Sequence, residues 1–187
     1  MNIDKYKKEL DEKGYTIIPN VLNNDEIDLV INSIVQKDLL DYNFFKGSAK
    51  STYVAMQEQN PNILDFHSDI QKKILREVPT AAPNQRMADS WCNIQGRDST
   101  LEWHNHPNSV ISGIIFLKCD EHSSKLVFKN PLTPRPPTAV SPHEQIYKLT
   151  PEKGLLVMWP SYLMHGSGGS VNQSDERIVL SFNTYWK

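Results

Sequence analysis

Cysteine is nearly missing from this chain, which has only Cys92 and Cys119 in 187 residues. A disulfide scaffold is thereby excluded, and both thiols are expected to stay reduced as apolar residues. Long hydrophobic runs are missing as well. Val110 to Leu117 and Gly154 to Trp159 stop far short of the roughly 20 apolar residues that a membrane helix requires. Charge of one sign is also absent. Lys plus Arg number 20 against 22 Asp plus Glu, and the net charge of -2 offers no broad attraction to nucleic acid or anionic lipid. The opening segment MNIDKYKKELDEKGY has no apolar stretch to act as a signal peptide, so a cytoplasmic location is expected. There is no internal repeat, and the Pro-rich stretch Asn130 to Pro142 is the one strong compositional break.

What is present suffices for a core. At 39% hydrophobic, residues 1–187 read as a single domain, with a mainly helical part over 1–88 and a β core over 89–187. Ile3, Tyr6 and Leu10 recur at helical spacing within residues 2–13, and Gly14 follows where a C-cap belongs. Tyr15 to Pro19 reads as a brief strand. Asn24 or Asp25 can cap a second helix with the apolar face Ile27, Val30, Ile31, Ile34 and Val35. Asn62 to Val78 gives a third helical pattern.

From Asp89 onward the pattern becomes strand-like. The expected strands are Ser90 to Ile94, Ser109 to Leu117, Lys125 to Phe128, Gln145 to Leu149, Gly154 to Trp159 and Arg177 to Tyr185. Helices first and strands afterwards argue for an α+β, mainly β fold, with helices packed on an antiparallel sandwich or barrel. A jelly roll is the natural candidate, because its taper leaves a pocket between two sheets. The segment Asn130 to Gln145 is too long for a tight hairpin and is expected to act as a lid or binding loop.

Three histidines are the candidate chemistry. His104 and His106 lie two apart just before a strand, so in extended backbone both imidazoles project from one face. His165 follows the Gly154 to Trp159 strand, where a loop on a rigid sheet could deliver a third ligand. Imidazole suits iron, zinc, copper and nickel, so the histidines alone do not select the metal. A lone His-x-His pair is as a rule a solvated surface feature. The alternation in RIVLSFNTYW puts Arg177, Val179, Ser181 and Asn183 on one face, where the Arg177 guanidinium and the Ser181 hydroxyl could bind a carboxylate together. The opposing expectation is a surface pair of Arg177 with Asp175 or Glu176. In SWCNIQG, Trp91, Asn93 and Gln95 share a face, and the two amides could bind an acid or orient a histidine. Trp91, Trp103 and Trp159 could wall the pocket, and His67, His122 and His143 read as surface residues.

Three segments resemble the Fe(II)- and 2-oxoglutarate-dependent oxygenases, in particular a group found in bacteria and phages. They are SWCNIQGRDSTLEWHNHPNSVISGIIFL, GLLVMWPSYLMHGSGG and ERIVLSFN, which together span roughly residues 89 to 184, about half of the chain. GYTIIPNVLNNDEIDLVINSI is similar to the start of the phytanoyl-type branch. The resemblance implies a double-stranded β-helix, a cupin-like jelly roll with N-terminal helices packed on one sheet. It further implies an oxidoreductase, a dioxygenase whose iron sits on His104, His106 and His165. On this reading 2-oxoglutarate reaches inward to Arg177, Ser181 and Asn93, and dioxygen is the oxidant.

The chain departs from the superfamily in having His106 where the usual His-x-Asp motif has aspartate. Three neutral imidazoles leave the ion with charge +2 in place of +1. A second register would make His106 and Asn108 the ligands and leave His104 outside. The strand through Ile115 and Phe116 also lacks the acid-binding tyrosines of many relatives. The expected substrate is a small molecule or peptide, with no membrane partner and with a homodimer left open. Two other functions stay open: a three-histidine, cupin-like metal dioxygenase that ignores 2-oxoglutarate, and a non-catalytic jelly-roll binding module.

Overall fold

The computed structural model describes residues 3–34, 38–53, 63–64, 67–78, 85–129 and 146–187. The first helix, α1 (Ile3–Lys13), ends at Gly14, whose N–H closes the last turn on the Leu10 carbonyl and whose positive φ turns the chain out of the helix. β1 (Thr16–Ile18) follows, and then α2 (Asn24–Asn32). The cap of α2 is Asn23, one residue earlier than expected. Its side chain accepts from the Glu26 N–H while the Glu26 carboxylate accepts from the Asn23 N–H, a reciprocal capping box. Ile27 and Val30 are buried; Ile34 lies beyond the helix, and Val35 falls outside the described residues. The third helix, α3 (Ser68–Glu77), is shorter than expected, because Ile63 and Leu64 form a turn ahead of it. His67, expected on the open surface, precedes α3 and bonds the Ser33 hydroxyl.

The strands are β2 (Phe45–Lys46), β3 (Ala49–Ser51), β4 (Gln85–Gln95), β5 (Thr100–Leu101), β6 (Ile111–Lys118), β7 (Leu126–Lys129), β8 (Ile146–Leu149), β9 (Leu156–Pro160), β10 (His165–Gly166) and β11 (Arg177–Trp186). Among the described residues they form a six-stranded sheet, ordered β1-β9-β6-β11-β4-β3, a three-stranded sheet, β10-β7-β8, and the pair β2-β5. Every pairing is antiparallel. The segment expected to form a lid, Asn130 to Gln145, lies outside the described residues.

Two apolar layers follow from the period of two in the strands. Cys92, Ile115, Leu117, Leu156, Met158, Ile178, Leu180 and Phe182 form one layer with Ile27, Val30, Ile70 and Ile74 of α2 and α3. The helices thus cover one face of the large sheet. The alternate residues Ile114, Phe116, Val157, Trp159 and Val179 turn the other way and pack on Leu126, Phe128 and Leu149 of the small sheet. Burying each large side chain contributes roughly 1.5–3 kcal/mol. The second layer lies between the two sheets, and a pocket opens beside it. This is the expected jelly roll, a double-stranded β-helix with helices on its outer face.

Candidate metal centre

His104 and His165 face each other across a single antiparallel bridge, in which each backbone N–H bonds the other's carbonyl at 2.9 Å. That close approach requires glycine at 166, since a Cβ there would stand 2.8 Å from the Glu102 carbonyl oxygen and 2.9 Å from that of Leu101. His106 is tied in by its N–H to the Ser161 carbonyl, also at 2.9 Å. One potential ligand atom from each of the three histidines lies within 4.8 Å of the others.

The rings are held by main chain. His104 Nδ1 meets the Glu102 carbonyl at 2.9 Å, and His165 Nδ1 meets the Leu163 carbonyl at 2.9 Å. Each bond fixes the tautomer with its proton on Nδ1 and leaves Nε2 as a lone-pair donor. His106 Nε2 lies 3.3 Å from His165 Nε2. Neither Asn93 nor Gln95 orients a histidine; the carbonyls two residues upstream of His104 and His165 do so. Burial depresses the proton affinity of all three rings. His165 is lowered well below its usual value, with a further push from His104 and His106, and His106 falls to about 3. All three are therefore neutral at pH 7 and able to accept a cation.

Asn108 is exposed, with positive φ in a turn, and does not line the cavity. Of the tryptophans, Trp91 and Trp159 line it, whereas Trp103 instead carries the Lys129 ammonium over its ring. His122 is exposed, as expected, and His143 is outside the described residues.

From the histidines the cavity runs inward between the sheets to Arg177, past Asn93, Val179 and Ser181. Asp175 is paired with Arg97 and Glu176 with Lys118, so neither acid holds Arg177. The guanidinium is buried, lies over the Phe116 ring and donates from one terminal nitrogen to Gln95 Oε1. Its Nε has no partner, and among the described residues no carboxylate pairs with it. Burial lowers its pKa to about 10, with Cys119 acting in the opposite direction. An unpaired buried cation is costly, so the cavity is electrostatically completed by an anion. Ser181 accepts from Asn93 Nδ2 at 3.2 Å, and Asn93 Oδ1 accepts from Ser51 at 2.6 Å. That chain leaves the Ser181 hydroxyl proton for a ligand. Trp159 adds another buried, unpartnered N–H beside His165.

The residues around this site that the sequence did not reveal are aromatic. Phe44 lies 5.1 Å from the His104 ring, and Tyr42 and Phe45 line the cavity. They lie outside any long periodic strand, in and around the two-residue β2, so no pattern marked them.

A jelly roll with a histidine triad at one end, His165 buried and the other two partly so, and an unpaired arginine at the other is an arrangement that could take a metal ion and an acid together. Residues 89–183 match the profile of the family described as "Putative 2OG-Fe(II) oxygenase", and the chain belongs to that family. It is thus an oxidoreductase, a dioxygenase working with Fe(II), 2-oxoglutarate and dioxygen. No curated protein matches the sequence. Among solved structures, the chain is similar to a 2OG-Fe(II) oxygenase family oxidoreductase from Burkholderia pseudomallei. The TM-score is 0.71 at 15% identity, covering 99% of this chain and 91% of that one. It is also similar to HygX from Streptomyces hygroscopicus with nickel and 2-oxoglutarate bound, with TM-score 0.68, 13% identity and coverage of 98% and 87%. A third is a Pseudomonas putida prolyl-4-hydroxylase, with TM-score 0.62, 12% identity and 99% coverage of both chains.

Proposed function

We propose that His104, His106 and His165 hold the Fe(II), that Arg177 takes the far carboxylate of 2-oxoglutarate, and that the chain oxidises a small molecule or peptide as one catalytic domain. The observation that carries this reading is the pairing of a neutral, main-chain-anchored histidine triad with an unpartnered buried guanidinium in one cavity. Iron and 2-oxoglutarate together supply dioxygen activation, with release of succinate and carbon dioxide.

The chain's own residues bind and orient. The Glu102 and Leu163 carbonyls hold Nδ1 of His104 and His165, so that Nε2 of each faces the metal position. Gln95 steers Arg177, whose free Nε–H points to the bidentate grip that guanidinium makes on carboxylate. Ser181 adds its hydroxyl, oriented by Asn93, which itself stays tied to Ser51. Trp91, Trp159 and Phe45 exclude water from the path between them. On this proposal the work is done in the cytoplasm; among the described residues no helix is long and apolar enough to cross a membrane.

Anaerobic addition of Fe(II) and 2-oxoglutarate is expected to give a visible charge-transfer band in wild type, lost in His165→Ala and weakened in Arg177→Ala. A band that survives loss of His165 overturns the ligand set. Turnover without added 2-oxoglutarate would speak for the cosubstrate-free, three-histidine chemistry instead.

A further inference from the structure

The strand alternation of β4 is broken once, next to a carboxylate that stays in phase with the cavity wall. Along the β4–β11 ladder Asn183 pairs with Asp89 but Thr184 pairs with Met87, so Ala88 is an extra residue in β4. Such a bulge re-aims the side chains beyond it. Met87 is buried in the layer beneath the helices. Asp89, two residues on, instead falls in phase with Trp91, which lines the cavity.

The surroundings of Asp89 are aromatic. The Tyr185 hydroxyl donates to its Oδ2. The Tyr53 ring stands edge-on to Trp91 at 4.8 Å, and Trp91 lies 5.9 Å from His106. Burial first, and then the Asp89 charge, hold the Tyr53 hydroxyl above its usual pKa. Asp41, Asp175 and Glu176 each meet a lysine or arginine. Asp89 has no cationic partner among the described residues, although it is half-buried.

We propose that Asp89, walled by Tyr53, Trp91 and Tyr185, receives a cationic amine or ammonium group of the primary substrate. A carboxylate among aromatic faces favours an organic cation through ion pairing and cation–π attraction together. Asp89, Tyr53 and Tyr185 are not among the residues that line the cavity, so the cation site lies beside it, next to the Trp91 wall. Arg177 takes the anionic cosubstrate at depth, and Asp89 takes a cation one same-face position beyond Trp91. The oxidised carbon of the substrate lies between its cationic group and the histidines. That last placement rests on the triad holding the metal; the cation site itself does not.

The test uses phenethylammonium and its neutral analogue 2-phenylethanol, titrated by tryptophan fluorescence into metal-free protein and into protein loaded with Ni(II) and 2-oxoglutarate. Wild type is expected to saturate with the cation and to bind it at least about tenfold more tightly than the alcohol, the scale of one partly desolvated ion pair with cation–π support. Asp89→Asn, which keeps an acceptor for Tyr185, is expected to erase that preference while keeping its thermal midpoint. Equal affinity for the two probes, absence of saturation, or a preference that survives in Asp89→Asn overturns the proposal. Should Asp89→Asn not fold, the comparison of the two probes on wild type decides alone. The titration into metal-free protein separates this result from failure of the charge-transfer band.

Discussion

Arg177 is the residue whose cost is clearest. It is buried, unpaired by any described carboxylate, and steered by one side-chain acceptor, Gln95. A hydrogen bond to a charged group contributes about 1.5–3 kcal/mol, so Gln95→Leu is expected to weaken 2-oxoglutarate binding roughly 10- to 100-fold. Steady-state kinetics should place the loss in KM for 2-oxoglutarate, with kcat and Fe(II) affinity near wild type. An unchanged KM would mean that packing on Phe116 alone positions the guanidinium. His106 poses a question of charge. Because three imidazoles leave the metal at +2, His106→Asp should bind 2-oxoglutarate more weakly than wild type. Titration of the acid into both Fe(II) proteins checks it, and tighter binding by the variant would refute the charge argument.

At the scale of elements, the decisive piece is the shortest. β10 is only His165–Gly166, yet it joins the His104 segment to β7. A methyl group at 166 would press on the Glu102 and Leu101 carbonyl oxygens, and the Glu102 carbonyl also anchors His104 Nδ1. Gly166→Ala is therefore expected to cost about 1–3 kcal/mol of stability, as overpacking does, and to lower metal affinity by about tenfold or more through the lost imidazole anchor. Urea unfolding and Ni(II) titration measure the two effects separately. Elements like β10 are what the sequence hid. β11 was legible because ten residues of RIVLSFNTYW give alternation room to speak. Two residues in β2, β5 or β10 carry no period at all. The histidines and Arg177 were legible from chemistry and spacing. That Gln95 meets Arg177 was not, because it depends on the β4–β11 register, and sequence alternation fixes a face but not a partner.

For the whole molecule, the triad couples stability to pH. Burial holds His104, His106 and His165 below the usual imidazole value, His106 at about 3. In the unfolded chain each titrates near 6.5. Above that value neither state binds these protons, and the full stability is present. As pH falls below it, the unfolded chain takes up protons that the folded, metal-free protein refuses. Stability is then lost, by up to about 1.4 kcal/mol per pH unit for each histidine, until the folded values are reached. The metal-free protein should therefore show a urea midpoint that is level from pH 8 to 7 and falls steeply from pH 6.5 to 5. Ni(II) should raise the midpoint at pH 7.5 in proportion to the logarithm of its concentration over Kd, and the two curves should converge as protons displace the ion. A metal-free midpoint level down to pH 5 would mean that the triad opens and hydrates at little cost. The three rings would then be assembled by the metal and not by the fold.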